Sequence, residues 1–352
     1  GASCDDEGVR WVLLASVPAA LVGAVGCHAR AGDAPGWRPE LEAPAPMRPA
    51  APAAVPATLR PDGAGRGGEP AVGPRASSGS ARSGGPDSGA PRAAARPVGS
   101  GSPWSAPEAC RAGFTARVPR APGTARVGTW NVRWFPDGAP GKRPPSGEGI
   151  DLEWLACAIT LLDVDVLAVQ EFKTHPAAVA ATARLTAALD RSTRGRWHAA
   201  FDDCEHVAGQ HVGLLYDAAR VTARGFTTYG GLNPHGVACQ DQLRPGFGAH
   251  FRFPGGLDLH VISVHLKSGN ERRSLTLRQR SLDSLAGAVG EARAVVADED
   301  VIFAGDFNTM GCGRCSPPVS AAEEIEELRR RLGGSGLRLV PPTVGCTEYF
   351  RG

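Results

Sequence analysis

Lysine is almost absent from this 352-residue chain. Only Lys142, Lys173 and Lys267 are present, so nearly all of the positive charge is arginine. We interpret this as genome-wide codon bias and not as selection for a partner. The formal net charge of +2 is uninformative about nucleic acid, because a DNA-binding surface is recognised by positive charge gathered on one face.

The sequence also lacks an apolar stretch of the ~20 residues that a membrane-spanning helix requires. The stretch from Trp11 to Val25 is shorter and ends in small residues before Cys27. We therefore predict that residues 1–30 are an export signal, with Cys27 as a lipidated membrane tether. A leader begins with positive charge, and the acidic residues 5–7 do not suit it. We therefore expect translation to start near Val9. A short buried helix is the alternative.

Residues 31–122 have no lysine and no sustained hydrophobic period. They are dominated by Ala, Pro, Gly, Arg and Ser, and such a segment cannot bury enough apolar surface to offset its chain entropy. We predict a disordered linker or stalk here. The remaining residues, 123–352, then form a single domain.

No second Cys-x-x-Cys accompanies Cys312 and Cys315, whereas a structural zinc site needs four ligands. We therefore favour disulfides, formed in an oxidising compartment. Cys157 lies on a helical apolar pattern and is predicted to be a buried free thiol. The other cysteines beyond the leader can pair in many ways, and the sequence does not choose among them. These are Cys110, Cys204, Cys239, Cys312, Cys315 and Cys346.

Strands and helices alternate through the domain. Strands are predicted over 126–131, 164–170, 197–203, 210–216, 221–228, 247–253, 258–265, 300–306 and 336–340. Helices are predicted over 150–162, 176–189, 274–297 and 320–332. Strands buried on both faces and joined by long connections favour an α/β or α+β fold with two packed mixed sheets.

Four of the predicted strands end in polar residues. These residues are Asn131, Glu171, His265, and Asp306 together with Asn308. Asp306 and Asn308 are two residues apart, so both side chains lie on one face of an extended backbone. The four strand ends meet at one point only if the strands share a sheet or a pair of packed sheets.

Four motifs surround these residues in order: Trp-Asn at 130–131, Gln-Glu at 170–171, His-Leu-Lys-Ser-Gly at 265–269 and Gly-Asp-Phe-Asn at 305–308. In this the chain resembles the endonuclease/exonuclease/phosphatase superfamily over roughly residues 125–352. That fold is shared by DNase I-like nucleases, abasic-site endonucleases, inositol polyphosphate phosphatases and bacterial sphingomyelinases. The resemblance implies a four-layer sandwich, with two sheets flanked by helices.

The resemblance also implies roles for single residues. Glu171 would bind Mg²⁺ or Mn²⁺, with Asn131 and Asp306 beside the ion. Asp306 would orient or deprotonate the attacking water, and Asn308 would hold that water or a phosphate oxygen. His265 would donate to the phosphate or the leaving group, and we expect Gln210 to fix its orientation.

The superfamily normally ends in a Ser-Asp-His, but no Asp-His pair occurs in this chain. The end, residues 346–352, resembles the segment before the last two strands. We therefore expect a truncated copy that lacks ~30 to 60 residues, two strands with their connections. Such a chain would have an uncovered sheet edge and at most trace activity. A natural pseudoenzyme is the alternative.

The substrate is the least determined property. Lys267 and the arginines at 272, 273, 278 and 280 favour contact with a nucleic acid backbone. We therefore expect an exported metal-dependent nuclease of the bacterial periplasm, outer membrane or exterior. The alternatives are a phosphoesterase acting on lipid head groups or small phosphates, and a non-catalytic surface module.

Overall fold

The computed structural model describes residues 10–14, 21–25, 110, 120, 123–138, 149–204 and 209–340. The chain divides into two units, residues 1–30 together with 98–352, and residues 31–97. The second unit lies wholly outside the described residues, as do Cys27 and Cys346. The architecture below is that of the first unit.

Five strands form the first sheet. In spatial order they are β2 (Leu21–Val25), β3 (Ala125–Phe135), β4 (Val166–Phe172), β6 (His211–Asp217) and β5 (Trp197–Phe201). β3 and β4 are parallel, whereas β6 is antiparallel to both β4 and β5. The sheet is therefore mixed.

Six strands form the second sheet. In spatial order they are β11 (Arg338–Val340), β1 (Arg10–Leu14), β10 (Val301–Asp306), β9 (Asp258–His265), β8 (Gly246–Arg252) and β7 (Thr222–Tyr229). β9 and β10 are parallel, with Asp306 directly opposite His265. β8 is antiparallel to both of its neighbours.

Helices cover the outer faces of both sheets. They are α1 (Leu152–Leu162) and α2 (Pro176–Thr193) on the first sheet, and α3 (Arg272–Asp283), α4 (Leu285–Val295) and α5 (Ala321–Gly333) on the second. Asp151 caps α1, and Ser320 with Glu323 forms a capping box on α5, so the orphan N–H groups of these helix starts have acceptors. Among the described residues, no helix has the length and apolarity needed to cross a bilayer.

Three apolar layers hold these elements together. One lies between the sheets and includes Val166, Phe251 and Ile302. The second packs α1 and α2 on the first sheet, and the third packs α3 to α5 on the second sheet. The predicted four-layer sandwich is therefore confirmed.

The single helix predicted over 274–297 is wrong, because α3 ends at Asp283 and α4 begins at Leu285. Ser284 donates its backbone N–H to Ser281 O, three residues back, at 3.2 Å. Its hydroxyl donates to Arg280 O at 3.2 Å, a local bond that bends helices. The apolar period continues through this break, which is why the pattern did not show it.

The predicted free thiol at Cys157 is also wrong. Cys157 is bonded to the fully buried Cys110, and two further disulfides join Cys204 to Cys239 and Cys312 to Cys315. The preference for disulfides is thus confirmed for Cys110, Cys204, Cys239, Cys312 and Cys315. Because Cys110 is cross-linked to α1, the boundary expected after residue 122 is too late.

Arg120 extends this correction. Its guanidinium donates to Thr124 O at 2.9 Å and to the buried carboxylate of Asp165 at the start of β4. Both Cys110 and Arg120 lie in the predicted linker, yet both contact the folded domain. Single arginine and cysteine residues in a proline-rich segment produce no hydrophobic period. Composition alone therefore assigned Cys110 and Arg120 to the linker and not to the folded domain.

Two N-terminal strands border the central strands of the sheets. β1 pairs in parallel with β10, and β2 pairs antiparallel with β3. β3 and β10 are therefore not edge strands of their sheets. Both β1 and β2 lie in residues 1–30, the predicted export signal. That prediction concerns cleavage during export, and the pairing of these strands does not test it.

Candidate active site

The polar strand ends meet where the two sheets face each other. Asn131 and Glu171 belong to the parallel pair β3 and β4, and His265 and Asp306 belong to the parallel pair β9 and β10. Parallel neighbours present their carboxyl ends at the same edge. The sequence-based expectation that these residues converge agrees with the structure.

A β-bulge sets the direction of Glu171. The pairing of β4 with both of its neighbours shifts register at this residue. Gln170, just before it, is fully buried between the sheets and donates to Ser263 Oγ of β9 at 3.0 Å. Glu171 has φ +64°, a left-handed conformation that is strained for a residue with a Cβ. The bulge thus turns the carboxylate toward the site.

Left-handed backbone also occurs at other residues of the site. Arg133, Trp134 and Asn308 also have positive φ, at 48°, 58° and 49°. Trp134 donates its N–H to Glu171 Oε2 at 3.1 Å. Non-glycine residues in such conformations persist only where the surroundings hold them. The local backbone is therefore arranged around Glu171.

Asn131 joins the two acidic residues of the site. Its Nδ2 donates to Glu171 Oε1 at 3.0 Å and to Asp306 Oδ2 at 2.9 Å. Its Oδ1 accepts from the N–H of Arg133 at 2.9 Å. The amide nitrogen therefore faces both carboxylates, whereas a residue beside a cation, as Asn131 was predicted to be, would offer its oxygen.

Gln210 has a different partner from the one predicted. Its Nε2 donates to Glu171 Oε2 at 2.8 Å, so it orients this carboxylate and not His265. Gln210 directly precedes β6, which pairs with β4 beside Glu171. The bulge brings Glu171 within its reach.

Asp306 and Asn308 are held by a tight turn after β10. Asp306 Oδ1 accepts from the N–H of Asn308 at 2.9 Å. Asn308 Nδ2 donates to Leu266 O at 3.0 Å and so ties this turn to the segment after His265. Asp306 therefore has one side-chain oxygen fixed by its own turn and the other by Asn131.

His265 lies between the two carboxylates. Its Nε2 is 3.8 Å from Glu171 Oε1 and 3.8 Å from Asp306 Oδ2, while its Nδ1 is buried and has no hydrogen-bond partner among the described residues. Burial lowers the pKa of His265 well below its usual range, and the charges of Arg244 and Lys267 lower it further. Burial thus favours the neutral imidazole, and the two carboxylates favour its proton on Nε2.

Arg244 is a site residue that the sequence did not indicate. It is half-buried, just before β8, and its Nε is enclosed without a hydrogen-bond partner among the described residues. Burial lowers the pKa of Arg244, and the carboxylates of Glu171, Asp202 and Asp306 oppose this shift. The available signal was the Arg-Pro pair directly before an apolar strand.

The pKa of His265 predicts how stability depends on pH. The unfolded chain takes up this proton near pH ~6.5, whereas the folded protein takes it up only at a lower pH. Stability is therefore present above that pH and is lost as pH falls below it. We expect His265→Asn to reduce this slope by up to ~1.4 kcal/mol per pH unit, as measured by urea unfolding between pH ~7.5 and ~5.5. The exposed His198→Asn is the control, and an unchanged slope in His265→Asn would contradict the assignment.

Two groups of possible metal ligands occur elsewhere among the described residues. Cys204 and Cys239, grouped with Asp203, form a disulfide and so offer no thiolate. His250 lies with Asp258 and Asp298 near the opposite ends of β9 and β10. Neither group includes the residues at the polar strand ends.

The chain matches a known protein family. The sequence model described as the Endonuclease/Exonuclease/phosphatase family matches residues 128–320, more than half of the chain. A family protein from Bacteroides thetaiotaomicron is 16% identical, with a TM-score of 0.40 over 60% of this chain and 70% of that chain. A search of the curated proteins finds no match.

Two further solved structures are similar at the same level. The human Nocturnin catalytic domain with bound sulfate is 15% identical, with a TM-score of 0.36 over 55% of this chain and 69% of that one. D. rerio TDP2 complexed with single-strand DNA product is 20% identical, with a TM-score of 0.34 over 52% of this chain and 60% of that one. The latter match thus spans less than two thirds of the TDP2 chain.

Proposed function

This chain belongs to the endonuclease/exonuclease/phosphatase family, and we propose that it is a divalent-metal-dependent phosphodiester hydrolase, specifically an exported DNase I-like nuclease. The observation that carries the proposal is the placement of Glu171 and Asp306 around His265, with Arg244 beside them. Paired carboxylates suit a cation, and an enclosed guanidinium suits a phosphate.

Glu171 and Asp306 fit a cation such as Mg²⁺ or Mn²⁺. Hard divalent cations take one or two carboxylates and keep several waters. When bound, the cation would stabilise negative charge on a phosphate oxygen. Asn131 supports this site by fixing both carboxylates through its Nδ2.

The protein's own residues would position the water and the phosphate. Asp306 would orient or deprotonate the attacking water, and its two oxygens are fixed by Asn131 and by the N–H of Asn308. His265 would donate its Nε2–H to a phosphate oxygen or to the leaving group. Arg244 Nε would donate to a second phosphate oxygen, which gives this enclosed N–H the partner it lacks among the described residues.

Basic residues near the site favour a nucleic acid over a lipid. Lys267, Arg273 and Arg314 flank it and leave charge on the surface, with Glu271 offsetting part of that charge. Charges of this kind bind a phosphate backbone in a salt-dependent way. The large apolar residues that are exposed in the described part of the chain are three valines on separate elements, whereas a lipid surface would require a contiguous apolar patch.

A substrate panel tests the proposal. Plasmid DNA, single-stranded DNA, RNA, sphingomyelin vesicles and an inositol polyphosphate are incubated with the full chain in Mg²⁺, Mn²⁺ or excess EDTA. We expect metal-dependent cleavage of DNA that EDTA abolishes. Turnover of sphingomyelin or of the inositol phosphate alone would replace the nuclease assignment. Turnover that persists in EDTA would remove the metal-dependent mechanism.

Substitution of Arg244 tests the phosphate contact. Arg244→Gln should lower kcat/KM for DNA by ~10²-fold, the loss typical of one electrostatic donor. The loss should become smaller at high salt if the residue mainly binds substrate. Arg184→Gln, an exposed arginine on α2, is the matched control and should remain at the wild-type level. Equal activity of the two variants would exclude Arg244 from the site.

Export is the second part of the proposal. Three disulfides in the described residues support an oxidising compartment. We propose a periplasmic, outer-membrane or secreted location, with Cys27 lipidated. Mass spectrometry of the mature protein from a bacterial host tests this, because cleavage before Cys27 and an added lipid mass are expected. An intact N-terminus on a cytoplasmic protein would exclude it.

A further inference from the structure

A buried ion pair lies beneath the site and takes no direct part in binding metal, water or phosphate. Arg278 of α3 is 0% exposed, and Glu324 of α5 is 2% exposed. Arg278 Nε donates to Glu324 Oε1 at 2.6 Å, and its Nη2 donates to Oε2 at 2.9 Å. The pair is therefore bidentate and fully enclosed.

The remaining donors of Arg278 reach the two loops that leave the catalytic strands. Residues 266–270, after His265, are the His265 loop, and residues 307–312 are the Asp306 loop. Nη1 donates to Lys267 O at 3.0 Å and to Gly269 O at 2.8 Å, and Nη2 donates to Gly311 O at 2.8 Å. A guanidinium has five N–H groups, and each of them has a partner here.

Glu324 completes the link from the opposite side. Its Oε2 accepts from the N–H of Gly311 at 2.7 Å, so the pair holds both polar groups of this one peptide residue. Gly311 has φ +73°, and a Cβ there would lie 2.4 Å from Val319 O. The ion pair therefore holds the Asp306 loop at Gly311, a position whose backbone conformation and close contacts accept only glycine.

The two loops are also bonded to each other. Asn308 Nδ2 donates to Leu266 O at 3.0 Å, and the N–H of Gly269 lies 3.2 Å from Met310 Sδ. These two hydrogen bonds join the loops directly. Arg278 adds three hydrogen bonds to backbone carbonyls of the two loops. The strand ladder sets the spacing of His265 and Asp306, whereas the arrangement of the two loops that follow them depends on this side chain.

Stability alone does not account for such a pair. Replacing a buried ion pair with apolar residues of similar volume is often neutral or stabilising, whereas removing one partner is strongly destabilising. Lysine cannot substitute for this arginine, because its ammonium has three donors and no planar fork. The contribution of the pair is thus geometric.

We propose that the Arg278–Glu324 pair is a positioning device that fixes the His265 loop and the Asp306 loop relative to each other. It thereby holds Asn308, whose N–H orients the water-activating carboxylate of Asp306. The inference rests on the phosphodiesterase function proposed above. It assigns Arg278 and Glu324 no contact with substrate. It predicts that catalysis is lost while substrate binding is kept.

Three variants and a control test this. Arg278→Lys keeps the charge, Arg278→Met leaves Glu324 unpaired, and Arg278→Met with Glu324→Leu removes the pair. Asp165→Asn breaks a buried ion pair at the start of β4, where Arg220 Nε lies 2.8 Å from Asp165 Oδ1. For each, kcat, KM and thermal unfolding are measured, and hydrogen exchange is followed by mass spectrometry over residues 266–270 and 307–312.

We expect kcat of Arg278→Lys to fall by ~10²-fold, the effect of a misplacement of about 1 Å, with KM nearly unchanged. Exchange should accelerate in both loops. The double variant should unfold at a higher temperature than Arg278→Met yet keep the low kcat. Asp165→Asn should lose stability without either change. Recovery of kcat together with stability in the double variant would overturn the proposal.

Hydrogen exchange separates this proposal from the proposed function. If the wild-type protein cleaves no substrate of the panel, the proposed function is rejected. The positioning role is then tested by hydrogen exchange in the two loops alone. Faster exchange in both loops of Arg278→Lys would still support positioning. Unchanged exchange there would overturn it, whatever the activity.

Discussion

Replacing Glu171 with Gln is expected to lower phosphodiester hydrolysis by ~10³-fold, the upper end of the loss for one electrostatic group in a hydrolytic site. A carboxamide has the same shape but lacks the charge that a hard cation requires. Stability should change little. The new amide NH₂ group would face the side-chain NH₂ of Asn131 or of Gln210, which costs a hydrogen bond. Removing a negative charge beside Asp306 offsets that cost.

Metal binding separates this effect from misfolding. Mn²⁺ titration by calorimetry should show weakened binding in Glu171→Gln, with a melting temperature close to wild type. Glu153→Gln, an exposed change on α1, is the matched control and should bind metal normally. Wild-type activity in Glu171→Gln would remove this residue from the mechanism.

Asp306→Asn is expected to lower kcat by ~10³-fold, within the ~10²–10⁴-fold range of general acid–base groups. The carboxamide keeps an oxygen to accept from the Asn308 N–H, so the turn should survive. It cannot accept a proton from water. KM should change less than kcat, because the loss occurs in the transition state.

Single-turnover kinetics measure this effect without product release. Asp298→Asn, which changes an aspartate near the other end of β10, is the control, because Asp298 contacts His250 far from the proposed chemistry. Its kcat should match wild type. If Asp306→Asn instead raised KM alone, Asp306 would bind substrate and would not activate water.

The strand ends were predictable because a buried strand is an apolar run with a definite end. Asn131, Glu171, His265 and Asp306 each follow such a run, so their convergence followed from the sheet architecture. Their partners did not follow from it. The alternation of apolar and polar residues does not reveal the bulge at Glu171. Because of this bulge, Gln210 binds Glu171 and not His265.

Residues that act from loops or between layers were not predictable. Arg244 reaches the site from an irregular segment that Asn233 holds by donating to Gln240 O and Leu243 O, contacts without a sequence period. Arg278 looked like part of a basic helix face, whereas its side chain is fully buried. Charge on a helix predicts exposure, and only the packing of α3 on α5 reverses that expectation.

The left-handed backbone at Glu171 has a consequence for protein engineering. Glycine adopts this conformation without the cost of ~1–3 kcal/mol that another residue pays, and it would also remove a negative charge next to Asp306. A library selected only for heat resistance should therefore be enriched in glycine at position 171. With the role proposed for Glu171, the same clones would lose hydrolysis, so a screen must score turnover and thermal tolerance together.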